Sequence, residues 1–332
     1  MIEAFYETHR YLIEHQHPVV HRRLMDEIDW SHRLIGIKGS RGVGKTTFLL
    51  TYAKERFGLS RECLYVNFNN FYFSKHSLVD FAGEFVGSGG RVLLLDQIFK
   101  YSDWSHDLRI CYERYENLHI VFTGSTVMRL TEGNDDLRGI VEMYNLRGFS
   151  FREYLNLQSH HNFGSYSLLD IVNGHEEIAR KVVSEVNPLW YFNDYLRYGY
   201  YPFFLEDRNY SETLLKTMNM MLEVDILLIK QIDISYLQRL RRLLYVMLEQ
   251  TPCSVNVSQL SEEIDSARAT IMNYLKYLKD ARLLNLLYKE GKSYPLKPTR
   301  VYMQNTNLLY ALLSSQPTTQ TLSETFFYNA LH

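Results

Sequence analysis

One short stretch constrains the fold and the chemistry of this chain more than any other. Its members are Gly39, Ser40, Arg41, Gly42, Val43, Gly44, Lys45, Thr46 and Thr47. The first eight fit the pattern G-x-x-x-x-G-K-[ST], with an apolar run at residues 34–37 before them and a helix-like run at 47–57 after them. A phosphate-binding loop requires this order of strand, loop and helix. The alternative interpretation is a glycine turn that binds nothing.

The residue types in this loop suit a nucleoside triphosphate. Its glycines let the backbone turn tightly enough for N–H groups to point at phosphate oxygens, and the following helix adds the positive end of its dipole. We expect Lys45 to reach the β and γ phosphates and Thr46 to offer its hydroxyl to Mg²⁺. The predicted cofactors are therefore ATP and Mg²⁺, and the predicted nucleotide contacts are residues 39–47.

A second part of the predicted site lies at the end of an apolar strand, residues 91–96. That strand ends in Asp96. A carboxylate at the carboxyl end of a parallel strand can hold Mg²⁺ through its water shell. Thr46 and Asp96 are thus the predicted metal-site residues, and Lys45 and Asp96 belong to the predicted catalytic set.

Gln97 follows at the position where P-loop hydrolases usually carry a glutamate that polarises the attacking water. A carboxamide keeps the size of that side chain and can hydrogen-bond a water, but it cannot accept a proton near neutral pH. Either the protein is naturally a poor hydrolase, or Gln97 is a deliberate Glu→Gln change that traps bound ATP. We favour the second interpretation, and we keep Gln97 among the predicted catalytic residues.

Polar residues end the next predicted strand, residues 119–125. Thr123 and Ser125 lie where a polar sensor would contact the γ-phosphate or the attacking water. We therefore include Ser125 in the predicted catalytic set. The alternative is that both side chains only cap the end of a strand.

An arginine precedes the fifth predicted strand, residues 141–146. This residue, Arg138, occupies a position that lies at the subunit edge in oligomeric ATPases, where an arginine can stabilise charge on a neighbour's γ-phosphate. Arg138 is the predicted arginine finger and Arg147 the second choice. A solvated surface arginine is the alternative.

Composition excludes several other classes of protein. The chain has 332 residues, of which 46% are hydrophobic and 22% charged, as in ordinary globular proteins with two or three domains. Cys63, Cys111 and Cys253 are far apart and lack C-x-x-C spacing, which favours reduced thiols over a disulfide framework or a zinc site. Residues 1–17 contain no long apolar core, so we expect a cytoplasmic protein with no membrane partner.

A helical region follows the predicted sheet. Ser150 and Glu153 form a capping box, in which the serine accepts from the start of the helix and the glutamate reaches back. From residue 151 to about 235, every periodic segment is typical of a helix. We therefore predict that the chain leaves the sheet at residue 150.

Residues 236–302 show a different order: three helices and then a hairpin. The predicted helices are 238–250, 257–264 and one that Ser266 caps and that runs to about 281 with Ile271, Leu275 and Leu278 buried. Residues 283–289, Gly291 and residues 299–303 then form a two-stranded wing. This is winged helix-turn-helix geometry, in which the third helix can enter a major groove.

The charge of this segment supports contact with nucleic acid. It carries eleven Lys or Arg against six Asp or Glu, a net charge of +5, whereas the whole chain is −2 and the remainder therefore −7. Such asymmetry is typical of a surface that binds phosphates. The predicted nucleic-acid contacts are Arg268, Asn273, Lys276 and Lys279. A protein-docking winged helix is the alternative.

The assembled pattern resembles the prokaryotic AAA+ ATPases, which usually end in a restriction-endonuclease-like domain. The resemblance is carried by the P-loop, L-L-L-D followed by Gln97, T-G-S at 123–125, S-F-R-E-Y-L from Ser150, a G-x-x-P turn at 199–202 and the winged helix. It implies an α/β fold with a five-stranded parallel core that has helices on both faces, a helical lid, and MgATP bound between core and lid. Gln97 departs from the pattern of the family.

The resemblance also implies domain limits. These are an AAA+ P-loop core at 1–148, a helical lid at 149–235, a winged helix at 236–312 and the start of a nuclease-like domain at 313–332. Residues 323–328 look like the first helix of that last domain. The strands that would carry its remaining carboxylates are absent from the sequence, so we expect a truncated domain and no complete nuclease.

Two functions from different classes fit the sequence. The first is an ATPase, a homo-oligomer in which nucleotide state moves the winged helix on duplex DNA and in which Gln97 impairs hydrolysis. The second is an ATP-operated switch for oligomerisation or signalling, in which the winged helix docks a protein. Gln97 favours the switch, and the basic winged helix favours DNA.

Overall fold

The computed structural model describes residues 2–16, 21–128, 134–206, 209–228, 230–289, 297–312 and 316–331. These residues divide into two compact units. The first comprises Met1–Arg147 and Val224–Ile232, and the second comprises Gly148–Glu223 and Asp233–His332. The tip of the predicted wing, at Gly291, lies outside the described residues. The domain limits given above stay a prediction.

Five strands form the centre of the first unit. They are β1 (Leu34–Gly39), β2 (Cys63–Asn67), β3 (Val92–Asp96), β4 (His119–Ser125) and β5 (Glu142–Asn145). All pair in parallel in the order β2-β3-β4-β1-β5. The predicted parallel five-stranded sheet is thus confirmed, and β1, β3, β4 and β5 lie within two residues of their predicted limits.

The sheet is buried on both faces along β2 and β3. Every residue of β3 is buried, as are the first four residues of β2. Because consecutive side chains of a strand point to opposite faces, full burial requires that chain covers both sides. This explains why these strands are continuous apolar runs in the sequence.

Among the described residues of the first unit, five α-helices accompany the sheet. They are α1 (Ile2–Glu14), α2 (Leu24–Glu27), α3 (Lys45–Arg56), α4 (Leu78–Gly87) and α5 (Trp104–Arg114). Ser77 caps α4, because its side chain accepts from the backbone N–H of Asp80. Phe81 and Phe85 of α4 and Leu108 of α5 are fully buried. Each such side chain stabilises the fold by about 1.5–3 kcal/mol through burial.

The second unit begins with a helical region. Its α-helices are α6 (Phe151–Ser159), α7 (Leu168–Glu185), α8 (Pro188–Asp194) and α9 (Tyr210–Met220). The predicted capping box at the start of α6 is present, with Ser150 and Glu153 each accepting from the other's backbone N–H. A π-helical segment, Met221–Leu228, follows α9 and carries the chain into the first unit at Val224.

The same unit contains three further helices and a pair of antiparallel strands. They are α10 (Leu237–Gln250), α11 (Val257–Ile264), α12 (Arg268–Asp280), β6 (Leu284–Leu287) and β7 (Arg300–Met303). The predicted stripe of α12 is confirmed, since Ile271, Leu275 and Leu278 are all fully buried. The predicted order of three helices and two strands is therefore present in the structure.

The predicted cap of α12 is wrong. The residue at the helix N-terminus is Ala267, and it offers no side-chain cap. Ser266 instead donates its hydroxyl to the carbonyl oxygen of Ile264 at 3.4 Å and accepts no bond from α12. The serine thus closes the turn after α11, an alternative that short hydroxyl side chains commonly take.

The last described helices of the second unit are α13 (Thr306–Leu312) and α14 (Thr319–Leu331). Asn307 of α13 donates to the carbonyl oxygens of Tyr195 and Leu196. On α14, Tyr328 stacks on Tyr302 of β7 with ring centroids 4.5 Å apart. Within the described part of the chain, no helix is both long and apolar enough to cross a bilayer.

Gly36 in β1 leaves no room for a side chain. A Cβ there would lie 2.4 Å from Met143 Sδ and 2.8 Å from Phe122 Cζ, on the two strands that pair with β1. We expect Gly36→Ala to lower the free energy of unfolding by about 1–3 kcal/mol, the usual cost of overpacking. Urea denaturation followed by circular dichroism would measure this.

Gly87→Ala is the matched control, because a Cβ at Gly87 meets nothing within 4 Å. We expect its effect to stay within about 1 kcal/mol of zero or to stabilise, since alanine favours the helix. Equal effects of the two substitutions would contradict this account of the packing around β1.

Candidate nucleotide-binding site

The glycine-rich loop joins β1 to α3 through a left-handed backbone. Gly42 and Gly44 have φ of 84° and 90°, values that only glycine adopts without strain. Gly39 is required for a different reason, because a Cβ there would lie 2.5 Å from the carbonyl oxygen of Leu146. The three glycines thus fix the loop shape, and α3 begins at once with Lys45.

Lys45 turns its ammonium group back over this loop. Nζ donates to the carbonyl oxygens of Gly39 at 2.8 Å and of Ser40 at 2.9 Å. Burial lowers the pKa of Lys45 to about 8, opposed by the negative charges of Asp225 and Asp96. The lysine is therefore a desolvated cation, held by two carbonyl oxygens of the loop.

Asp96 is the buried centre of a hydrogen-bond network. The residue is 1% exposed. Its Oδ2 accepts from Thr46 Oγ1 at 2.6 Å and from Tyr65 Oη at 2.8 Å, and its Oδ1 accepts from Thr123 Oγ1 at 2.5 Å. A buried carboxylate must be compensated by donors in this way.

The strand register brings these groups together. Asn67 is the register partner of Asp96, and Ile37 is the register partner of Thr123. The hydroxyls that meet Asp96 come from three other elements: α3 for Thr46, β2 for Tyr65 and β4 for Thr123. Parallel strands all present their carboxyl ends at one edge of a sheet, so the predicted pairing of Thr46 with Asp96 follows from the topology.

Gln97 has a left-handed backbone, with φ of 57°. Its backbone N–H donates to Thr123 Oγ1 at 2.9 Å, and its Oε1 accepts from Asn69 Nδ2 at 3.2 Å. A glutamine in this conformation is uncommon and carries a conformational cost. The backbone bond to Thr123 helps to hold the side chain at the edge of the sheet.

The other two predicted catalytic residues differ in their surroundings. Ser125 is buried and is the register partner of Gly39, so it lies beside the first residue of the loop. Arg138 has a side chain that is 82% exposed, 3.9 Å from Asp135 Oδ1. The structure brings Ser125 to the loop, and it leaves Arg138 on the surface.

Three residues that the sequence analysis did not assign also contact the loop or Asp96. Arg22 is buried and donates to the carbonyl oxygens of Val43 at 3.2 Å and of Arg147 at 2.8 Å. Asp225 pairs with Arg41, and Tyr65 donates to Asp96. None of these three residues belongs to a sequence motif, because each reaches the site only through the tertiary fold.

The site fits a magnesium-bound triphosphate in its chemistry. The hydroxyl of Thr46 and the carboxylate of Asp96 meet at 2.6 Å, which provides the hard oxygen ligands that Mg²⁺ prefers. Lys45 and Arg41 offer positive charge on the same loop. Among the described residues, no group of three or more His, Cys, Asp or Glu side chains could hold a metal ion by itself.

The predicted nucleic-acid contacts lie on α12 of the second unit. All four side chains are exposed: Arg268, Asn273, Lys276 and Lys279. The ammonium group of Lys279 lies 5.2 Å from the ring centroid of Tyr288. The surface of α12 therefore presents three cations and a carboxamide.

Comparison with known proteins bears on the first unit most directly. Residues 31–155 match the family model of an AAA domain. This confirms the part of the sequence prediction that placed the P-loop and its sheet in an AAA domain. Residues 189–319 match a domain of unknown function, so the comparison gives no role for the second unit.

Relatives of this chain are distant. An uncharacterized protein of Methanocaldococcus jannaschii is 28% identical over 274 residues, which are 78% of this chain and 57% of that protein. The chain thus spans little more than half the length of this curated relative.

Two solved structures have a low overall similarity to this chain. AMPPCP-bound DnaA from Aquifex aeolicus is 12% identical with a TM-score of 0.29, covering 84% of this chain and 88% of that one. The Aeropyrum pernix ORC1 protein in complex with DNA is 13% identical with a TM-score of 0.32, covering 100% and 94%.

Proposed function

We propose that this protein is an ATPase that binds MgATP on the loop of residues 39–47. One observation carries the proposal: the hydroxyl of Thr46 meets the buried carboxylate of Asp96 at 2.6 Å, beside a loop that carries Lys45. An AAA domain matches the same residues. The predicted core, lid and winged helix, at 1–148, 149–235 and 236–312, are part of the proposal.

Each residue of the site has a distinct role in this function. Lys45 binds the β and γ phosphates, and the loop N–H groups hold the remaining phosphate oxygens. Thr46 and Asp96 hold the metal ion, which neutralises charge on the phosphates when it is bound. Thr123 orients Asp96 through its 2.5 Å hydrogen bond and also accepts from the backbone of Gln97. Ser125 lies beside Gly39 as a polar sensor.

Lys45→Ala tests the binding of nucleotide. The lysine supplies charge for phosphate, and its own bonds go to two loop carbonyls. We therefore expect the variant to fold but to lose detectable MgATP binding in isothermal titration calorimetry. Lys75→Ala, at an exposed lysine of the same unit, is the control and should bind like the wild type. Unchanged affinity in Lys45→Ala would refute the assignment of the loop.

Gln97→Glu tests the chemistry of hydrolysis. A carboxylate at this position can accept a proton from the attacking water, which a carboxamide cannot. We expect ATP turnover to rise by roughly 10²–10⁴-fold, the usual contribution of a positioned general base. Phosphate release measures this. Unchanged ATP turnover would mean that the general base lies elsewhere or that the site is natively inactive.

Arg138 is proposed to act on a neighbouring subunit. Its exposed side chain supports this role, because a finger must leave its own subunit. Mixing Arg138→Ala subunits with Lys45→Ala subunits, both in the Gln97→Glu background, should restore partial turnover. The Arg138→Ala subunit then supplies Lys45, and the Lys45→Ala subunit supplies Arg138. No recovery on mixing would favour a monomer or a different finger.

We further propose that the three helices and two strands at 237–303 form a winged helix that contacts duplex DNA. The exposed cations of α12 and the net charge of +5 over residues 236–302 support this. The alternative function is an ATP-operated switch in which this segment docks a protein. The two differ in a measurable way, since phosphate contacts weaken as salt rises.

Substitutions on α12 test the DNA contact. Lys276→Ala with Lys279→Ala should weaken binding to all duplexes alike and should reduce the salt dependence by about one phosphate equivalent each. Arg268→Ala should instead change the preference among sequences by about 1–3 kcal/mol where a preferred site exists. Gel shifts over a salt series with MgATP measure both. If the wild-type protein shows no duplex binding at low salt, the result favours the ATP-operated switch over DNA contact.

A further inference from the structure

An acid from a distant part of the sequence lies against the phosphate-binding loop. Asp225 is 3% exposed, and its Oδ1 accepts from Arg41 Nη2 at 2.8 Å. Arg41 is the third residue of the loop, and its side chain is 25% exposed. Both residues belong to the first unit, which the chain enters at Val224 and leaves at Ile232.

Asp225 also acts on the second cation of the loop. Its charge favours the protonated form of Lys45 and is the largest influence that opposes the lowering of this pKa by burial. Asp225 therefore attracts both Arg41 and Lys45. These are the two cations that a bound triphosphate would also attract.

We propose that Asp225 and bound MgATP compete for Arg41 and Lys45, so that nucleotide binding releases the segment Val224–Ile232 from the loop. This rests on the function proposed above. A buried carboxylate and a polyphosphate repel each other strongly where water is largely excluded. Arg41 therefore exchanges its carboxylate partner for phosphate oxygens. Asp225 is a regulatory residue, because it sets the affinity for nucleotide by holding the loop cations.

The first residues of this segment have an unusual backbone. They belong to the π-helix Met221–Leu228, a rare form that occurs mostly as single-turn bulges and frequently at functional sites. The segment is joined to the second unit at both ends, before Val224 and after Ile232. Its release therefore gives a covalent route by which nucleotide binding can act on the second unit.

Asp225→Asn tests the competition. Asparagine keeps the size of the side chain and a carbonyl acceptor for Arg41, but it removes the charge. We expect the Kd for MgATP to fall roughly tenfold, within the five- to 150-fold range of typical couplings. Asp233→Asn removes an exposed acid just outside the segment and should leave the Kd unchanged. An unchanged or higher Kd in Asp225→Asn, with wild type binding MgATP, would overturn this inference alone.

A double-mutant cycle with Arg41→Gln separates competition from a loss of loop structure. We expect Arg41→Gln to weaken MgATP binding, and Asp225→Asn to improve the Kd by a smaller factor in that background, because only Lys45 is then contested. Equal factors in both backgrounds would show that Asp225 does not act through Arg41. If the wild type itself does not bind MgATP, the proposed function fails and this inference fails with it.

Hydrogen exchange gives an independent readout. Amides of residues 224–232 should exchange faster in wild type when MgATP is added. In Asp225→Asn they should exchange fast already without nucleotide, since the pair that holds them is gone. Identical protection in wild type with and without MgATP would contradict release of the segment.

Discussion

The buried carboxylate of Asp96 is the constraint on which the site depends. A charge that is 1% exposed is stable only when donors surround it, and here they come from Thr46, Tyr65 and Thr123 on three different elements. A slip of one residue in β3 would turn Asp96 to the opposite face of the sheet. The position of the P-loop helix over the sheet and the register of β2, β3 and β4 are thus fixed together by one polar cluster.

Sequence was sufficient for β2 and β3 because these strands are buried on both faces. Val92–Asp96 is a short continuous apolar run that follows two glycines and ends in an acid, and its length favours a buried strand over a helix. The loop of residues 39–47 was equally predictable, since the left-handed backbone of such a loop requires glycine. The contacts of Arg22, Tyr65 and Asp225 could not be predicted, because they join residues that neither periodicity nor spacing relates. The cap of α12 was missed because Ser266 had a competing acceptor in Ile264.

The hydrogen bonds at Gln97 show which property of the site a Glu→Gln exchange changes. Its backbone N–H is held by Thr123, and that bond does not depend on whether the side chain is an acid or an amide. Asn69 donates to Oε1, which a glutamate would offer as well. A Glu→Gln exchange here therefore changes the ability to accept a proton and leaves the placement of the side chain unchanged. This also explains how a left-handed glutamine is tolerated, since two hydrogen bonds offset part of its conformational cost.

If MgATP and Asp225 compete for Arg41 as proposed, the Arg41–Asp225 pair also limits how strongly a single subunit responds to nucleotide. A ligand shifts a conformational equilibrium only by its difference in affinity for the two states. Typical couplings of this kind are about 1–3 kcal/mol, whereas a change from 1:99 to 99:1 requires about 5.5 kcal/mol. On the proposed competition, one such pair would therefore produce a graded response in each subunit. A sharp response to ATP needs several subunits whose loops respond together, and for this reason an exposed arginine acting between subunits and an acid acting within one would complement each other.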